Sequence, residues 1–287
     1  MEVLKTIADM RAWSDAKRRE GLRIGFVPTM GALHEGHLTL VDVARHRSDV
    51  VVASIFVNPT QFAPTEDLDR YPRDPEGDAA KLRNRRVDAL FLPNSDEMYP
   101  SGFNTVVQVE EITGMLEGWT RPTHFAGVTL VVAKLFNIVC PHIAVFGRKD
   151  AQQALVIRRM TADLDFGIDI IVAPTVREED GLAMSSRNQF LTPEERKAAT
   201  SLSRALRNGY QAYLAGERTA SALVQGMIQV LRSEPTIRTD YLAIVSMGNL
   251  EPVDFVGPGT LVAAAVYLGK TRLIDNWWVE EDGRAEF

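Results

Sequence analysis

Residues 25–37 of this 287-residue chain are Gly25-Phe-Val-Pro-Thr-Met-Gly-Ala-Leu-His-Glu-Gly-His37. An apolar run ends at Val27, a turn passes through Gly31, and a segment with helical spacing begins near Gly36. In an open α/β sheet, a helix that follows a strand in this way presents free N–H groups at the carboxyl end of the strand. The stretch therefore predicts a parallel sheet with a phosphate-binding turn after its first long strand.

Two histidines stand at the end of this stretch. His34 and His37 are three positions apart, so both can face one side of the first helical turn. Imidazole N–H groups in that place would stabilise the charge that builds on a phosphoryl group in the transition state. Two capping or surface histidines are the alternative, which the Pro28-Thr-Met-Gly31 lead-in disfavours. Zinc is a weaker rival, because no carboxylate or thiol ligands cluster nearby in the sequence.

The first 175 residues alternate between strand-like and helix-like periodicity. Apolar, β-branched runs predict strands at residues 22–27, 50–57, 89–92, 143–146 and 168–172. Helical spacing is found near residues 38–44 and 79–82, at 128–139 and 151–161, and before the first strand, from Ile7 to a stop at Gly21. Runs that are apolar on both faces suit a parallel sheet covered on both sides. The fold class predicted for residues 1–175 is α/β, a Rossmann-like, doubly wound parallel sheet.

The pattern changes after Pro174. Thr192-Pro-Glu-Glu195 combines a capping threonine, a proline in the first turn and a capping-box glutamate, and the helix it predicts ends at Ala215 before Gly216. A second helix is predicted at 220–233. Strands are predicted at 240–245, 260–268 and 271–278, with Gly269-Lys270 as a hairpin turn. Residues 176–287 are therefore predicted to form a smaller α+β domain.

Composition excludes several classes of protein. The chain is 45% apolar and 24% charged, with a net charge of −6, which is ordinary for a globular protein and lacks the basic excess of nucleic-acid binders. The single cysteine, Cys140, excludes an intrachain disulfide and suits a reducing compartment. The start has no signal-peptide layout, and the apolar runs are too short to span a bilayer. We expect a cytoplasmic protein that binds neither nucleic acid nor membrane.

Five further sequence motifs follow residues 28–37 along the chain. They are Phe56-Val-Asn-Pro-Thr-Gln-Phe62, Asp67-Leu-Asp-Arg-Tyr-Pro-Arg73, Arg121-Pro-Thr-His-Phe-Ala-Gly127, Phe146-Gly-Arg-Lys-Asp-Ala-Gln-Gln153 and Met184-Ser-Ser-Arg-Asn188. Together they resemble the pantothenate synthetase family, within the nucleotidylyltransferase superfamily that carries a His-x-Gly-His signature. The resemblance is close over the amino-terminal two-thirds. One departure is Arg148, where the family usually has glutamate, and any side-chain role of that position is in doubt.

The resemblance implies an AMP-forming ligase. Pantoate would attack the α-phosphorus of ATP to give pantoyl adenylate and pyrophosphate, and the amine of β-alanine would then give pantothenate and AMP. Mg²⁺ is implied with the nucleotide, and a homodimer is expected. Asp67, Asp69 and Asp74 could help to hold Mg²⁺, but solvated loop carboxylates are an equally good interpretation, so the metal ligands stay open.

The resemblance also implies roles for individual residues. The catalytic candidates are His34, His37, Lys149 and Arg187. The implied ATP contacts are Met30, Gly31, Ala32, Leu33, His34, Glu35, Gly36, His37, Gly147, Arg148, Lys149, Asp150, Val176, Met184, Ser185, Ser186 and Arg187. Gln61 and Gln153 are implied to bind pantoate, and Gln61 also β-alanine, since an amide offers both a donor and an acceptor to a hydroxy acid. Closure of the second domain over the first is implied to complete the site.

Alternatives remain at this stage. Gln61 could be a turn glutamine, Lys149 a surface lysine and Asp150 only a helix cap. The chain could be a nucleotidylyltransferase that stops at a phosphoester, or a nucleotide sensor without catalysis. Three other histidines receive no role: His46 is predicted to be solvated, and His142 has no obvious partner. His124 is equally compatible with a pocket or a turn.

Overall fold

The structure is a computed structural model that describes residues 1–63, 68 and 71–287. It divides into two compact units. The first contains Met1–Gly147 and Gln152–Ala173, and the second contains Arg148–Ala151 and Pro174–Phe287. The short segment Arg148–Ala151 thus belongs with the carboxy-terminal part of the chain. The two functional domains proposed from the sequence, 1–175 and 176–287, stay a prediction.

The first unit is built on a six-stranded parallel sheet, which confirms the predicted fold class. Its strands are β1 (Glu2–Leu4), β2 (Ile24–Thr29), β3 (Val50–Ile55), β4 (Ala89–Phe91), β5 (Ile143–Gly147) and β6 (Asp169–Ala173). They lie in the order β1-β4-β3-β2-β5-β6, and every neighbouring pair is parallel. The strand β1 was not predicted, because it is a three-residue edge strand with two exposed residues and no apolar run of its own.

The strand order reverses direction at β2. The chain adds β3 and β4 on one side of β2 and then adds β5 and β6 on its other side. Ligands of doubly wound sheets bind at such a switch point, outside the carboxyl ends of the strands. The turn at residues 30–34 follows β2, and Gly147 ends the neighbouring strand β5. Two segments predicted to bind ATP therefore begin at the carboxyl ends of the strands that form the switch point.

Helices cover both faces of this sheet. They are α1 (Ile7–Arg19), α2 (Glu35–Arg47), α3 (Pro75–Asn84), α4 (Ser95–Met98), α5 (Glu117–Thr120), α6 (His124–Val139) and α7 (Ala151–Asp163). Consecutive residues of β2 enter different apolar clusters, with Phe26 packing in one and Val27 in the other. This alternation is what a sheet buried on both faces requires. Among the described residues, no helix has both the length and the apolar character needed to cross a membrane.

The second unit is an antiparallel sheet with two long helices, as predicted. The helices are α8 (Pro193–Leu214) and α9 (Ala220–Arg232), and the strands β7 (Ile237–Ser246), β8 (Thr260–Leu268), β9 (Thr271–Val279) and β10 (Ala285–Glu286) lie in the order β10-β9-β8-β7. The predicted capping box is present: Thr192 Oγ1 accepts from the Glu195 N–H at 3.2 Å, and Glu195 accepts from the Thr192 N–H at 2.9 Å. Strand β7 begins three residues earlier than the prediction and contains an irregularity at Thr239.

Candidate active site

The side chains of His34 and His37 together form a capping box at the start of the helix α2. His34 is the N-cap residue, and its Nδ1 accepts from the Gly36 N–H at 3.1 Å. The Nδ1 of His37 accepts from the His34 N–H at 3.4 Å, and the two ring centroids are 4.1 Å apart. Both histidines therefore cap the helix, which is the alternative that the sequence disfavoured. Their predicted role in phosphate binding stays a prediction. Both rings satisfy backbone donors that the first helical turn leaves unpaired.

This cap also sets which ring nitrogen carries the proton. A backbone N–H only donates, so the Nδ1 atoms of His34 and His37 must be unprotonated, and a neutral ring then carries its proton on Nε2. An Nε2–H is the donor that a phosphate oxygen needs, and the helix amino terminus adds its own positive potential. Capping and phosphate binding are thus compatible, because they use opposite nitrogens of the same ring.

The turn before His34 is held by a residue that the sequence analysis missed. Gly31 has φ +84° and Ala32 has φ +51°, so two consecutive residues lie in the left-handed region. The carboxylate of Asp78, which is 1% exposed, accepts from the Ala32 N–H at 2.7 Å and from the Leu33 N–H at 2.8 Å. Because these amides are engaged, the predicted ATP contacts of Ala32 and Leu33 have to use other atoms.

A second polar cluster follows β3. Gln61 is 7% exposed; its Oε1 accepts from Asn58 Nδ2 at 3.1 Å, and its Nε2 donates to Met30 Sδ at 3.1 Å. Asn58 Oδ1 in turn accepts from the Tyr99 hydroxyl at 2.8 Å and from the Thr60 hydroxyl at 2.9 Å. The chain of hydrogen bonds orients the amide of Gln61. It also brings Gln61 into contact with Met30, the first residue of the turn at residues 30–34, which we call the signature turn.

The protonation of Tyr99 supports this chain. Burial raises the pKa of the Tyr99 phenol, and its hydrogen bond with Thr60 offsets part of that rise. The phenol therefore stays protonated at neutral pH and donates to Asn58. Gly127 allows the helix α6 to approach closely, since a Cβ at this position would lie 2.5 Å from the backbone nitrogen of Gln61. His124 Nδ1 lies 3.0 Å from the Gln61 carbonyl oxygen, so this histidine also supports the turn.

The neighbouring glutamines of α7 differ in their surroundings. Gln152 is buried; it accepts from the Glu117 N–H at 2.9 Å and donates to the Ile112 and Met115 carbonyls at 2.7 and 2.8 Å. Gln153 is partly exposed. Gln152 thus holds the segment that precedes α6, and the pantoate contact assigned to Gln153 stays a prediction.

In the second unit, the side chain of Arg148 is occupied by structural contacts. Arg148 is 2% exposed; it pairs with Glu286, and its guanidinium carbon lies 5.6 Å from the centroid of the Trp278 ring. Burial lowers the pKa of Arg148, and the charge of Glu286 offsets part of that effect. The Asn276 amide donates at 2.9 Å to the carbonyls of both Arg148 and Lys149. A nucleotide contact at position 148 would therefore use the backbone.

The other predicted residues of this unit lie on two short segments. Lys149 Nζ is 3.5 Å from Asp150 Oδ1, and the lysine side chain is only 18% exposed. The Met184 N–H donates to the Val176 carbonyl at 2.9 Å. Ser185 Oγ accepts from the N–H of Arg187 at 3.2 Å, which caps the turn Ser186–Phe190. The structure thus brings Val176 beside residues 184–187, as one ATP-binding loop would require.

The remaining candidates have simpler outcomes. Asp67 and Asp69 lie outside the described residues, and Asp74 accepts from the Gly77 N–H at 2.9 Å as the N-cap of α3. Within the described ranges, no three His, Cys, Asp or Glu side chains are grouped as metal ligands. His46 is exposed, as predicted. The expectation for His142 was wrong, because its Nδ1 accepts from the Ile24 N–H of β2 at 2.9 Å.

Comparison with known proteins identifies the family. A sequence model described as pantoate-beta-alanine ligase matches residues 2–278. The chain belongs to the pantoate–β-alanine ligase family. The pantothenate synthetase of Pelotomaculum thermopropionicum is 56% identical over 276 residues, which cover 96% of this chain and 98% of that protein. The predicted family and the predicted class, a ligase, are confirmed.

Pantoate–β-alanine ligases of known structure share the fold. The pantothenate synthetase of Thermus thermophilus superposes with a TM-score of 0.91 at 49% identity, covering 96% of this chain and 98% of that one. The pantoate-beta-alanine ligase of Francisella tularensis has a TM-score of 0.80 at 33% identity, with 97% of each chain covered. That structure was determined in complex with beta-gamma ATP and beta-alanine. The family therefore combines ATP binding with pantothenate biosynthesis.

Proposed function

We propose that this chain joins pantoate to β-alanine in two chemical steps. The observation that carries the proposal is the contact between Gln61 and Met30, with Gln61 Nε2 3.1 Å from Met30 Sδ. It joins an oriented amide, suited to a small hydroxy acid, to the turn that leads into His34 and His37. An acid-recognition group and two phosphate donors at the carboxyl ends of neighbouring strands are what adenylation of an acid needs.

The first step is adenylation. A carboxylate oxygen of pantoate attacks the α-phosphorus of ATP, and the bond to pyrophosphate breaks. The Nε2–H groups of His34 and His37 donate to phosphate oxygens, while Lys149 and Arg187 supply positive charge. No side-chain nucleophile takes part, because the attacking oxygen belongs to pantoate.

The second step is aminolysis. The neutral amine of β-alanine attacks the carbonyl carbon of pantoyl adenylate, AMP leaves with the bridging oxygen, and the nitrogen loses a proton to solvent or AMP. Bonding of AMP to a carboxylate oxygen makes that oxygen part of a good leaving group, so the protein mainly positions the reactants. Gln61 is proposed to contact both pantoate and β-alanine, and Gln153 to contact pantoate.

The remaining assignments belong to the same proposal. ATP is proposed to contact residues 30–37, 147–150, 176 and 184–187, in support of which the Francisella relative was crystallised with beta-gamma ATP. Mg²⁺ is proposed to arrive on the ATP phosphates and to keep most of its waters, as this ion usually does in nucleotide sites. A homodimer and a cytoplasmic location are proposed from family resemblance and from the single cysteine.

The decisive experiment follows isotopes through the two steps. Labelled pyrophosphate should exchange into ATP when pantoate is present and β-alanine is absent. With pantoate labelled by ¹⁸O in its carboxylate, one labelled oxygen should appear in AMP after the full reaction. A transferase that stops at a phosphoester would release no labelled AMP, and a nucleotide sensor would show no exchange. Label in inorganic phosphate, with ADP as the other product, would mean an acyl phosphate and would overturn the adenylate mechanism.

A further inference from the structure

Asp78 lies far from the signature turn in sequence but contacts its backbone directly in the fold. It is on the helix α3, 46 residues after Ala32, and its carboxylate accepts from two consecutive backbone N–H groups of the turn at 2.7 and 2.8 Å. Lys81, one turn further along α3, donates from Nζ to the Leu33 carbonyl at 2.7 Å and lies 3.4 Å from Asp78. The helix α3 thus holds three consecutive peptide groups of the turn, two through their N–H groups and the third through its carbonyl.

The turn requires such a support. An alanine in the left-handed region is strained, and it persists only where the surroundings determine its conformation. Two amides that point into a buried space would also remain unpaired without an acceptor. The Asp78 carboxylate meets both needs. The space above it is tight, because a Cβ at Gly31 would lie 3.1 Å from Asp78 Oδ2.

The position of the turn determines the position of the histidines. His34 follows Leu33 directly, and its cap of α2 depends on where the turn delivers it. We propose that Asp78, with Lys81, is a positioning pair for the adenylation step: it holds the turn so that His34 and His37 present their Nε2–H groups to the ATP phosphates. This inference rests on the proposed function of the two histidines. Neither residue of the pair is proposed to touch a substrate.

The first test replaces the carboxylate without changing its shape. Asp78→Asn puts an amide NH₂ against a backbone N–H and loses one of two acceptors. Displacement of reacting groups by about 1 Å costs on the order of 100-fold in rate, so pyrophosphate exchange in the folded variant should fall by about that factor. Glu76→Gln is the matched control, since Glu76 is exposed on the same helix, and its exchange rate should equal that of the wild type. A folded Asp78→Asn protein with full activity would overturn the proposal.

A double-mutant cycle separates positioning from a merely structural role. If Asp78 acts through the histidine, then in a His34→Asn background Asp78→Asn should cost no more than about tenfold further. The full loss of about 100-fold in that background would mean that Asp78 acts independently of His34, and the proposed positioning of His34 would be wrong. A His34→Asn protein with the wild-type rate would instead contradict the phosphate-binding role that the proposed function gives to His34. The two failures are therefore distinguishable.

A spectroscopic readout keeps the proposal testable without activity. In ¹⁵N spectra of the histidine rings, His34 and His37 should show an unprotonated Nδ1 and a protonated Nε2, and Asp78→Asn should shift His34 toward a mixture of tautomers. If Asp78→Asn does not fold, Lys81→Met retains the carboxylate and removes only the bond to Leu33. It should lower exchange by about tenfold or more, the loss of one hydrogen bond from a charged donor, and it should move the His34 signals. If Lys81→Met changed neither the exchange rate nor the His34 signals, the proposal that Lys81 helps Asp78 to position the turn would be wrong.

Discussion

Asn58 donates from Nδ2 to Oε1 of Gln61 over 3.1 Å, and the two side chains are 1% and 7% exposed. Asn58 is itself oriented, because its Oδ1 accepts from the hydroxyls of Tyr99 and Thr60. A buried amide with this many hydrogen-bond partners has one favoured orientation. The oriented Asn58 amide in turn fixes the orientation of the Gln61 amide. Gln61 consequently directs Nε2 toward Met30. The proposed recognition of an acid by Gln61 would therefore depend on Asn58 as well.

Asn58→Asp tests this dependence. The change keeps the shape of the side chain but places a carboxylate oxygen against Oε1 of Gln61, so Gln61 must turn or leave. We expect pantoate binding to weaken by about tenfold or more, the cost of an unpaired buried group, with ATP binding unchanged. Calorimetric titration of each ligand measures both quantities. Gln61→Ala is the reference, and equal weakening of ATP and pantoate would mean that the cluster only supports the fold.

The two adjacent glutamines of α7 form a natural matched pair. Gln153→Ala should weaken pantoate binding and leave the free energy of unfolding nearly unchanged, because Gln153 is partly exposed. Gln152→Ala should lower the free energy of unfolding by about 1–3 kcal/mol, since it leaves the Glu117 N–H and two carbonyls without their partner. Urea unfolding and pantoate titration of both variants provide the comparison. Reversed effects would show that the assignment of pantoate recognition to Gln153 is wrong.

Substitutions of His34 separate its two functions. Asparagine is a good N-cap residue, so His34→Asn should retain the cap of α2, whereas His34→Ala should cost about 1 kcal/mol of stability. Both variants lack the Nε2–H donor, and both should lose about 10²–10³ in the rate of adenylation. Single-turnover pyrophosphate release and thermal unfolding measure the two effects. Wild-type rate in His34→Asn would mean that capping is the whole role of this histidine.

The parts of this protein that sequence could predict are those in which local pattern carries the information. The strand–turn–helix of residues 24–47, the capping box at Thr192 and the hairpin around Gly269 each consist of residues close in sequence, whose conformational preferences agree. The strand β8 was predicted at its observed bounds because its run of apolar residues is flanked by glycines.

The supports of the site could not be predicted, because they join distant segments. Asp78 is one of two acidic residues in the first turn of α3, and acidic residues are common in that part of a helix for electrostatic reasons alone. Asn58 precedes a proline and is typical of a turn. The pairing of Arg148 with Glu286 spans 138 residues. Each of these contacts follows from the tertiary fold, which no local pattern specifies.

Arg148 offers a test of the departure from the family pattern. Arg148→Glu introduces the residue usual in the family, but places it beside Glu286 in a buried position. We expect a loss of about 2 kcal/mol or more in stability, less than for a fully buried pair because Glu286 is partly exposed. The charge-swapped double variant, Arg148→Glu with Glu286→Arg, should recover much of that loss. If Arg148→Glu alone is as stable as the wild type in urea unfolding, the ion pair has no structural role.

The last prediction concerns His142 and the pH dependence of stability. Burial lowers the pKa of His142, and the positive charges of Arg18 and Arg23 lower it further, while Asp49 acts in the opposite direction. The neutral ring accepts the Ile24 N–H of β2 through Nδ1, and a protonated ring cannot accept there. The folded protein therefore binds this proton less readily than the unfolded chain, whose histidine has a pKa of about 6.5.

The sign of the effect follows from this difference. The unfolded chain binds more protons between the folded and unfolded pKa values, so stability rises with pH in that range. The contribution of His142 is complete above about pH 6.5 and is lost as the pH falls through the lowered folded pKa. His142→Asn keeps an acceptor for Ile24 but does not titrate, so its thermal midpoint should fall less between pH 7 and pH 5 than that of the wild type. His46→Asn is the control, because His46 is exposed, and it should follow the wild type. Equal shifts in the wild type and His142→Asn would show that protonation of His142, and loss of its hydrogen bond at the start of β2, does not affect stability.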